Sequence, residues 1–593
     1  MSPVPFRFLP RTLPVSLRVS VCRSMAAGRL ESEPQRELFV KTIGIEFHNR
    51  RMWNWKDVDQ ALAFMKRFEM NALVFHQTDM MDFITLPEKY FSEDLLWERW
   101  PVRYIDVQVK RAFLQEVTRR CKAQGVAFYP EFKEIWYPEG LLEVYPELKN
   151  KDGQICPTNP FWFEFVAEKM DELVRYYPDV AGAIVSPATR ESKVSISKMT
   201  CDCERCRSTD PNKWYEDFIR AVYKPLEACG KTLVIRDFSY SKDHQNAVIE
   251  ASMAVSKDIV IGLKNVPHDF WPTFPDNPKL GQTQGLAQWA EFDVWGQYYG
   301  QGAFPASLVE DFQNRIRHCR SKGVTGAWFR TDIEWLDESN NMNSFNTLNL
   351  IGAAMLSSNP DRDLDEVYDA WLEWGLYSGF TASSETGEPV RPSAPDARER
   401  LQAFMRAGSK VMEKALYVRG HVFNYSSQFG QSLSAIYNVM QVWHQREQWD
   451  PGSAKHLEPT PENLAVIYAE KREAVEQAEK LKDILDPGTL GLPDAFLVEI
   501  EAMLELYVWY ARGYELSAHA YFAAQRALQT GERSDAVTAL ANADALDAFQ
   551  GELASHLETT VYPHYVYWLT SPTRLHQLAE DVRSKVNSTS EIA

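Results

Sequence analysis

Residues 324–335 read VTGAWFRTDIEW. A short apolar run ends abruptly in Arg330, Asp332 and Glu334, hemmed by Trp328 and Trp335. Charges at the end of a buried strand are costly unless they are paired or used. The run itself has the length and continuity of a strand covered on both faces. The fold must therefore bury such strands and still give their charged ends something to do.

Seven similar runs precede this one: FVKTIGIEF (39–47), ALVFHQ (72–77), VAFYPEF (126–132), GAIVSP (182–187), TLVIRDF (232–238), DIVIGLKN (258–265) and QWAEFDVWGQ (288–297). Helix-like segments alternate with them. WKDVDQALAFMKRFEM, DVQVKRAFLQEVTRRCKAQG, NPFWFEFVAEKMDELVRYY, PNKWYEDFIRAVYKPLEACG and PASLVEDFQNRIRHCRSKG all repeat apolar residues at three- and four-residue spacing. Several end in Gly just before the next strand, as helix C-caps do. This alternation predicts an α/β fold, a (β/α)8 TIM barrel over residues 37–361. An open doubly wound sheet is the alternative, but no Gly-rich phosphate loop follows the first strand.

Beyond residue 362 strand-like runs give way to long helical periods, PENLAVIYAEKREAVEQAEKLKDIL and AFLVEIEAMLELYVWYARGYELSAHAYFAAQRAL, separated by DPGTLGLPD. Residues 362–593 read as an all-α helical C-terminal domain behind a Pro/Gly/Ser-rich boundary near 378–396. The stripe Tyr507, Trp509, Tyr510 and Tyr514 has core spacing, and reads as packing or as a homodimer contact.

The chain has 593 residues, too many for one core, and a net charge of −18 with no long basic run. That argues against nucleic acid or an anionic membrane as a partner. No apolar stretch reaches the roughly 18 residues of a membrane span. Residues 1–36 read as a disordered or leader-like segment: the first 24 are Arg-rich, acid-free and interrupted by Pro. A transit-like leader and an over-extended start before Met25 both fit; the rest reads as cytoplasmic.

In a TIM barrel the site lies at the C-terminal ends of the strands. In chain order those ends carry Glu46 and His48; His76, Gln77 and Asp79; Glu131, Lys133, Glu134 and Trp136; Arg190 and Glu191; Arg236 and Asp237; Lys264, His268 and Asp269; Glu291, Asp293, Trp295, Gln297 and Tyr298; and Arg330, Asp332 and Glu334. Any one such acid is commonly a helix cap or half of an ion pair. Their convergence with Trp136, Trp295 and Trp328 suits a sugar site, with carboxylates for proton transfer and indoles to stack on a sugar face. Five cations, Lys133, Arg190, Arg236, Lys264 and Arg330, suit an acidic sugar such as a uronic acid. They equally suit neutralisation of neighbouring carboxylates.

The stretches DVWGQYYGQGAFPASLVEDFQNRI (293–316) and GVTGAWFRTDIEWLDESNNMNSFNTLNLIGAAMLSSNPDRDLDEVYDAWLEW (323–374) resemble the end of the barrel in α-glucuronidases of glycoside hydrolase family 67. Tyr299-Gly300-Gln301 and Asn359-Pro360-Asp361 fall at corresponding places. The resemblance implies an inverting glycosidase with a middle-strand Glu as proton donor and late-strand acids as base. By position Glu191 is then the general acid, and Asp293, Asp332 and Glu334 compete for the base. Asp332 and Glu334, two apart, share a face if the strand continues that far. The chain departs from the family in having no room for a domain before the barrel, and SPATRESKVS around Glu191 matches no family motif. The remaining strand-end residues, His76, Lys133, Trp136, Arg190, Arg236, Asp237, Lys264, Trp295, Tyr298, Trp328 and Arg330, are expected to bind substrate.

The function expected is thus an exo-acting glycoside hydrolase of an oligosaccharide or glycoside, needing no cofactor for catalysis. Its rivals are a sialidase- or hexosaminidase-like hydrolase on the same barrel, a non-catalytic carbohydrate-binding barrel, and a metal-dependent barrel hydrolase. Cys201, Cys203 and Cys206 form a close cluster after the fourth strand. They would bind a structural zinc if a fourth ligand such as Cys156 or a His arrived, and are otherwise a disulfide or packed thiols.

Overall fold

A computed structural model describes residues 40–189, 191–198, 200–239, 241–337, 339–377 and 389–590. Arg190, the leader-like segment 1–36 and residues 378–388 of the expected boundary lie outside the described residues. The eight expected strands form: β1 (Thr42–Phe47), β2 (Ala72–His76), β3 (Ala127–Lys133), β4 (Gly182–Ser186), β5 (Thr232–Arg236), β6 (Val260–Lys264), β7 (Ala287–Asp293) and β8 (Gly326–Arg330). They close into one barrel in chain order. Every neighbouring pair is parallel, and β8 returns to β1 in the register Thr42↔Gly326 to Glu46↔Arg330. The (β/α)8 reading therefore holds. One connection differs: between Lys264 and Ala287 the chain crosses from β6 to β7 without a helix.

The barrel interior explains the composition of the strands. Ala72, Val74, Tyr129, Ile184, Val234, Val260, Trp289 and Trp328 form one apolar plug. Two indoles need space, and glycines supply it. A Cβ on Gly262 would stand 2.7 Å from Trp328 Cη2, and one on Gly44 would stand 3.1 Å from Trp328 Cβ. Large and small residues thus alternate around the plug, as a packed barrel requires.

Side chains two apart on a strand share a face. The inward residue after each plug residue is therefore His76 after Val74, Glu131 after Tyr129, Ser186 after Ile184, Arg236 after Val234, Glu291 after Trp289 and Arg330 after Trp328. A charged layer lies directly on the apolar one, at the C-terminal end where a TIM-barrel site belongs.

Beyond Arg330 the chain leaves strand geometry. Thr331 N–H donates to Glu46 O (3.1 Å), and Asn341 N–H donates to Thr331 O (2.7 Å). Asp332 and Glu334 consequently do not share a strand face, and they separate in role below.

The C-terminal region is helical: Ala397–Leu416, Pro461–Leu485, Asp494–Thr530, Arg533–Leu557 and Pro572–Ser590 are its long members. None of the described helices is long and apolar enough to cross a membrane. Tyr507, Tyr510 and Tyr514 are buried inside the chain. Their hydroxyls donate to the carbonyls of Pro305, Ser427 and Gln428. Tyr507 ties the helical region to the barrel loop at Pro305, and Tyr510 and Tyr514 hold the region's own segment 427–428, so the three pack inside the chain. The same region sends residues 417–428 over the barrel: Tyr417 O–H donates to Tyr298 O (2.9 Å), and Ser427 O–H donates to Gln297 O (3.0 Å).

Candidate functional site

The floor of the mouth is a network of buried charge. Arg236 donates twice to Glu291 (Nε to Oε2 2.6 Å, Nη2 to Oε1 2.7 Å), and its Nε lies 3.3 Å from Glu131. Burial pushes the Glu291 carboxyl up, but the guanidinium more than offsets this and leaves it below its ordinary value. Glu131 has no such pair of hydrogen bonds. Burial raises it, and Arg236 only partly restrains the shift. His76 Nδ1 meets Glu46 Oε1 at 2.8 Å and its Nε2 faces Glu131 at 3.4 Å. The other Glu46 oxygen accepts from Trp328 Nε1 at 2.8 Å.

Above this floor His48 stacks on His76 with ring centroids 3.8 Å apart. Burial holds His76 well below its ordinary value, and takes His48 down to about 4 despite the nearby Glu334 carboxylate. Both rings are therefore neutral near neutral pH. His48 Nε2 reaches Glu334 Oε2 at 2.7 Å, and Arg330 Nη2 lies 3.8 Å from the same oxygen. Burial raises the Glu334 carboxyl, but His48, Arg330 and Lys133 together hold it well below the usual carboxylate range. Opposite, Lys133 Nζ lies 3.3 Å from Glu191 Oε2.

Glu191 and Glu334 differ from the floor acids in exposure. Their side chains are 37% and 36% exposed, whereas Glu46, Glu131 and Glu291 are fully buried. Glu191 follows β4 and Glu334 follows β8. These strands are four apart in a closed ring of eight, so the two carboxylates approach from opposite sides.

The structure divides the other expected residues. Lys264 pairs with Asp269 at 2.7 Å, and Tyr298 O–H donates to the second Asp269 oxygen at 2.5 Å. Burial brings the Lys264 amine down to about 8 even so. Each expected cation that is described thus has a carboxylate partner: Lys133, Arg236, Lys264 and Arg330.

Asp332 and Asp293 work on backbone instead. Asp332 is fully buried, and accepts from the N–H groups of His48 (2.5 Å) and Asn49 (3.1 Å). Burial raises its carboxyl to about 7. Asp293 accepts from the N–H groups of Trp295, Gly296 and Gln297, and burial raises it to about 6. Asp237 accepts from Ser239 N–H and the Gln245 amide. These three buried acids hold loops in place through those hydrogen bonds.

The indoles also differ from expectation. Trp295 and Trp328 are fully buried, with their N–H groups on Ser339 Oγ (3.0 Å) and Glu46. Neither offers a face to a sugar, because indoles of this size fill the plug and the loop core. Trp136 lines a neighbouring cleft of about 320 Å³ with Asp79, Trp100, Arg103 and Lys193.

Rings that sequence reasoning missed stand at the mouth. Phe238 lies under Lys264 (3.8 Å to the ring centroid) and Lys133 (4.9 Å), and Phe270 under Lys264 (4.4 Å) and Arg330 (5.6 Å). Tyr425, from the C-terminal region, is half-exposed and stacks on His444, whose Nδ1 meets His268 Nε2 at 2.7 Å. Burial and the charges of Asp269, Glu191 and Glu334 raise its phenol. Glu131 and Glu291, named at the strand ends but given no role there, are the inward residues that a period-2 step from the plug picks out. Nothing local could have found Tyr425, which arrives from outside the barrel.

Glu134 gives a test of how the Glu191 loop is held. It is buried just past the end of β3, and its Oε1 accepts from Ala188 N–H at 2.6 Å. Burial raises the carboxyl from 4.5 to about 8, only partly countered by Ser195, Ala188 and Ser192. The folded state thus binds this proton more tightly than the unfolded state. Its stabilising effect is complete below about pH 4.5 and is lost as pH rises through about 8. Glu134→Gln mimics the neutral form. It should leave the thermal midpoint unchanged at pH 5 and raise it above wild type at pH 8. Parallel pH profiles for the two proteins would refute this placement of the proton.

Among the described residues, two groups have metal-ligating geometry. Glu46, His48 and His76 each offer a ligand atom within 4.8 Å of the others, as do Cys156, Cys201, Cys203 and Cys206.

The sequence matches no protein-family model and no curated protein. Among solved structures the chain is similar to a GH138 enzyme targeting pectin rhamnogalacturonan II, at 11% identity and a TM-score of 0.61, over 92% of this chain and 66% of that one. It thus spans about two thirds of that protein's length. It is also matched to an O-GlcNAc hydrolase variant of Thermobaculum terrenum (12% identity, TM-score 0.42, 94% and 95% of the two chains). A β-N-acetylhexosaminidase from Bacteroides fragilis aligns at 15% identity and a TM-score of 0.39, over 56% and 70%. The likeness to the GH138 enzyme, at 11% identity, is one of fold, an eight-stranded barrel of the kind glycoside hydrolases use. None of these three is a family 67 α-glucuronidase, so that finer resemblance stays a proposal.

Proposed function

We propose that this chain is a glycoside hydrolase acting on an acidic, uronic acid-type glycoside, with Glu191 as proton donor and Glu334 as the opposing carboxylate. The observation that carries this is the pair itself: two part-exposed acids on loops after diametrically opposed strands. Glycosidases place two carboxyl groups on either side of the scissile bond in this way. Glu191 gives its proton to the leaving oxygen as the C–O bond breaks. Water attacks the anomeric carbon from the other side and passes its proton to Glu334. Glu334 suits that task because His48, Arg330 and Lys133 keep it ionised.

The acidic substituent is argued from Lys133 and Arg330. Their contacts of 3.3 and 3.8 Å to part-exposed acids are looser than the Arg236–Glu291 pair at 2.6 Å. A substrate carboxylate that engages Lys133 would free Glu191 from its ion partner before proton transfer. Tyr425 and Trp335, both half-exposed, take the stacking role expected of the buried indoles. The fold shared with a GH138 enzyme targeting pectin rhamnogalacturonan II accords with this reading.

Aryl glycosides of glucuronic, galacturonic, N-acetylhexosaminyl, sialyl and neutral sugars test it. A hydrogen bond to a charged group contributes about 1.5–3 kcal/mol. A uronide should therefore be cleaved with kcat/KM more than about tenfold above the neutral sugar of the same stereochemistry. Preference for a hexosaminide or a sialoside would replace the substrate. Sugar binding without cleavage of any member would replace the activity with a binding role.

A further inference from the structure

Residues 150–156, after β3, and 201–206, after β4, bring four cysteines together. Cys156 Sγ lies 3.5 Å from Cys206 Sγ and 3.8 Å from Cys203 Sγ. The four sulfur atoms, Cys201 included, all lie within 4.8 Å of one another. A disulfide needs sulfurs about 2.05 Å apart, and all four cysteines are free. Four thiolates around a tetrahedral zinc, each at about 2.3 Å, stand about 3.8 Å from one another. The observed separations match that polyhedron.

We propose that Cys156, Cys201, Cys203 and Cys206 bind one structural Zn²⁺. Cys201, Cys203 and Cys206 form a Cys-x-Cys-x-x-Cys run, and Cys156 from the preceding loop closes the set. The surroundings are those of a thiolate centre. Cys206 N–H points to Cys203 Sγ (3.5 Å), and the Asn150 amide points to Cys201 Sγ (3.9 Å). The Thr158 hydroxyl lies 3.2 Å from Cys156 Sγ and 3.4 Å from Cys206 Sγ. Such contacts orient ligands and moderate the negative charge on sulfur. Four protein ligands leave no open position, so the ion would be structural and would not meet substrate.

The consequence lies in what the ion would link. The β3 loop is a small hairpin closed by Lys149↔Ile155, and it meets the β4 loop again through Ile135↔Val194. Among the described residues of the β4 loop, regular structure is limited to a bridge at Val194, the short 3-10 turn Ile196–Lys198 and the helix Glu204–Ser208. Zinc would fasten the free end of this loop to its neighbour, and through it restrict the segment that bears Glu191.

Elemental analysis of the full chain, purified without chelator, should find one zinc per chain. Cys156→Ser and Cys203→Ser should each lower that content by more than half. Cobalt exchanged into the wild type should give intense sulfur-to-cobalt charge-transfer absorption, as a tetrahedral tetrathiolate does. Stripping the metal under reducing conditions should expose Lys193, Lys198, Arg205 and Arg207 to trypsin, and zinc should restore protection. These readouts need no substrate. The wild type alone can overturn the proposal: less than about a tenth of a zinc per chain with all four thiols alkylatable, or a mass showing disulfide pairs among them. Zinc content unchanged in both folded variants would overturn it too.

Discussion

Glu191→Gln should lower kcat/KM on the best aryl glycoside by about 10²–10⁴-fold, the range of a lost general acid. The fold should survive. The side chain is 37% exposed, and the Gln amide oxygen can still accept a hydrogen bond from the buried Lys133 ammonium that pairs with Glu191. The loss should also depend on the leaving group. An acidic phenol departs with little help, so the deficit should shrink as the phenol becomes more acidic. Glu334→Gln should cost a comparable factor, with a weaker dependence on the phenol, because its partner is the attacking water. A steady-state series of substituted phenyl glycosides with both variants separates the roles. Equal leaving-group slopes for wild type and Glu191→Gln would remove Glu191 as proton donor, and full activity in Glu334→Gln would remove the pair. Proton NMR of the first-formed sugar then assigns stereochemistry. Inversion goes with carboxyl groups about 6.5–9.5 Å apart and retention with about 5–5.5 Å.

Arg236→Met should destabilise the protein by about 3–5 kcal/mol, the usual cost of removing one partner from a buried pair. Arg236, Glu131 and Glu291 are all buried, and no solvent can replace the guanidinium. Without it, burial dominates at Glu291, and its folded pKa rises above the unfolded value. Such a group supports the fold below its unfolded pKa and loses that support as pH rises. The deficit against wild type should therefore widen from pH 5 to pH 8. Adding Glu291→Gln should recover part of it, since a neutral amide needs no counter-charge. Denaturant midpoints at the two pH values measure this. A variant within about 1 kcal/mol of wild type at both would show that the network does not depend on Arg236.

The acids show how far local pattern carries. Asp332 and Glu334 look alike in TDIEW, two apart at the end of one apolar run. In the fold Asp332 turns inward to bind the N–H groups of His48 and Asn49, while Glu334 stays at the opening beside the His48 ring. That difference depends on where β1 ends relative to β8, a pairing across almost the whole chain. The indoles teach the same lesson. Trp328 was expected to meet a sugar but fills the plug beside Gly44 and Gly262, an arrangement invisible from its own neighbours.

The alternation of apolar runs with amphipathic helices determined a parallel sheet covered on both faces, and the pairing of β8 with β1 closed it into a barrel instead of an open doubly wound sheet. The same runs placed charge at the C-terminal ends of the strands, and hence the site. Only the tertiary structure decided which charges pair in the floor, which acids hold loops, and which two stay part-exposed on loops after opposed strands. It also brought Tyr425 from the helical region to the mouth and Cys156 to its three partners. Those outcomes rest on contacts between residues far apart in the chain, and their geometry is set by closure of the ring and by packing.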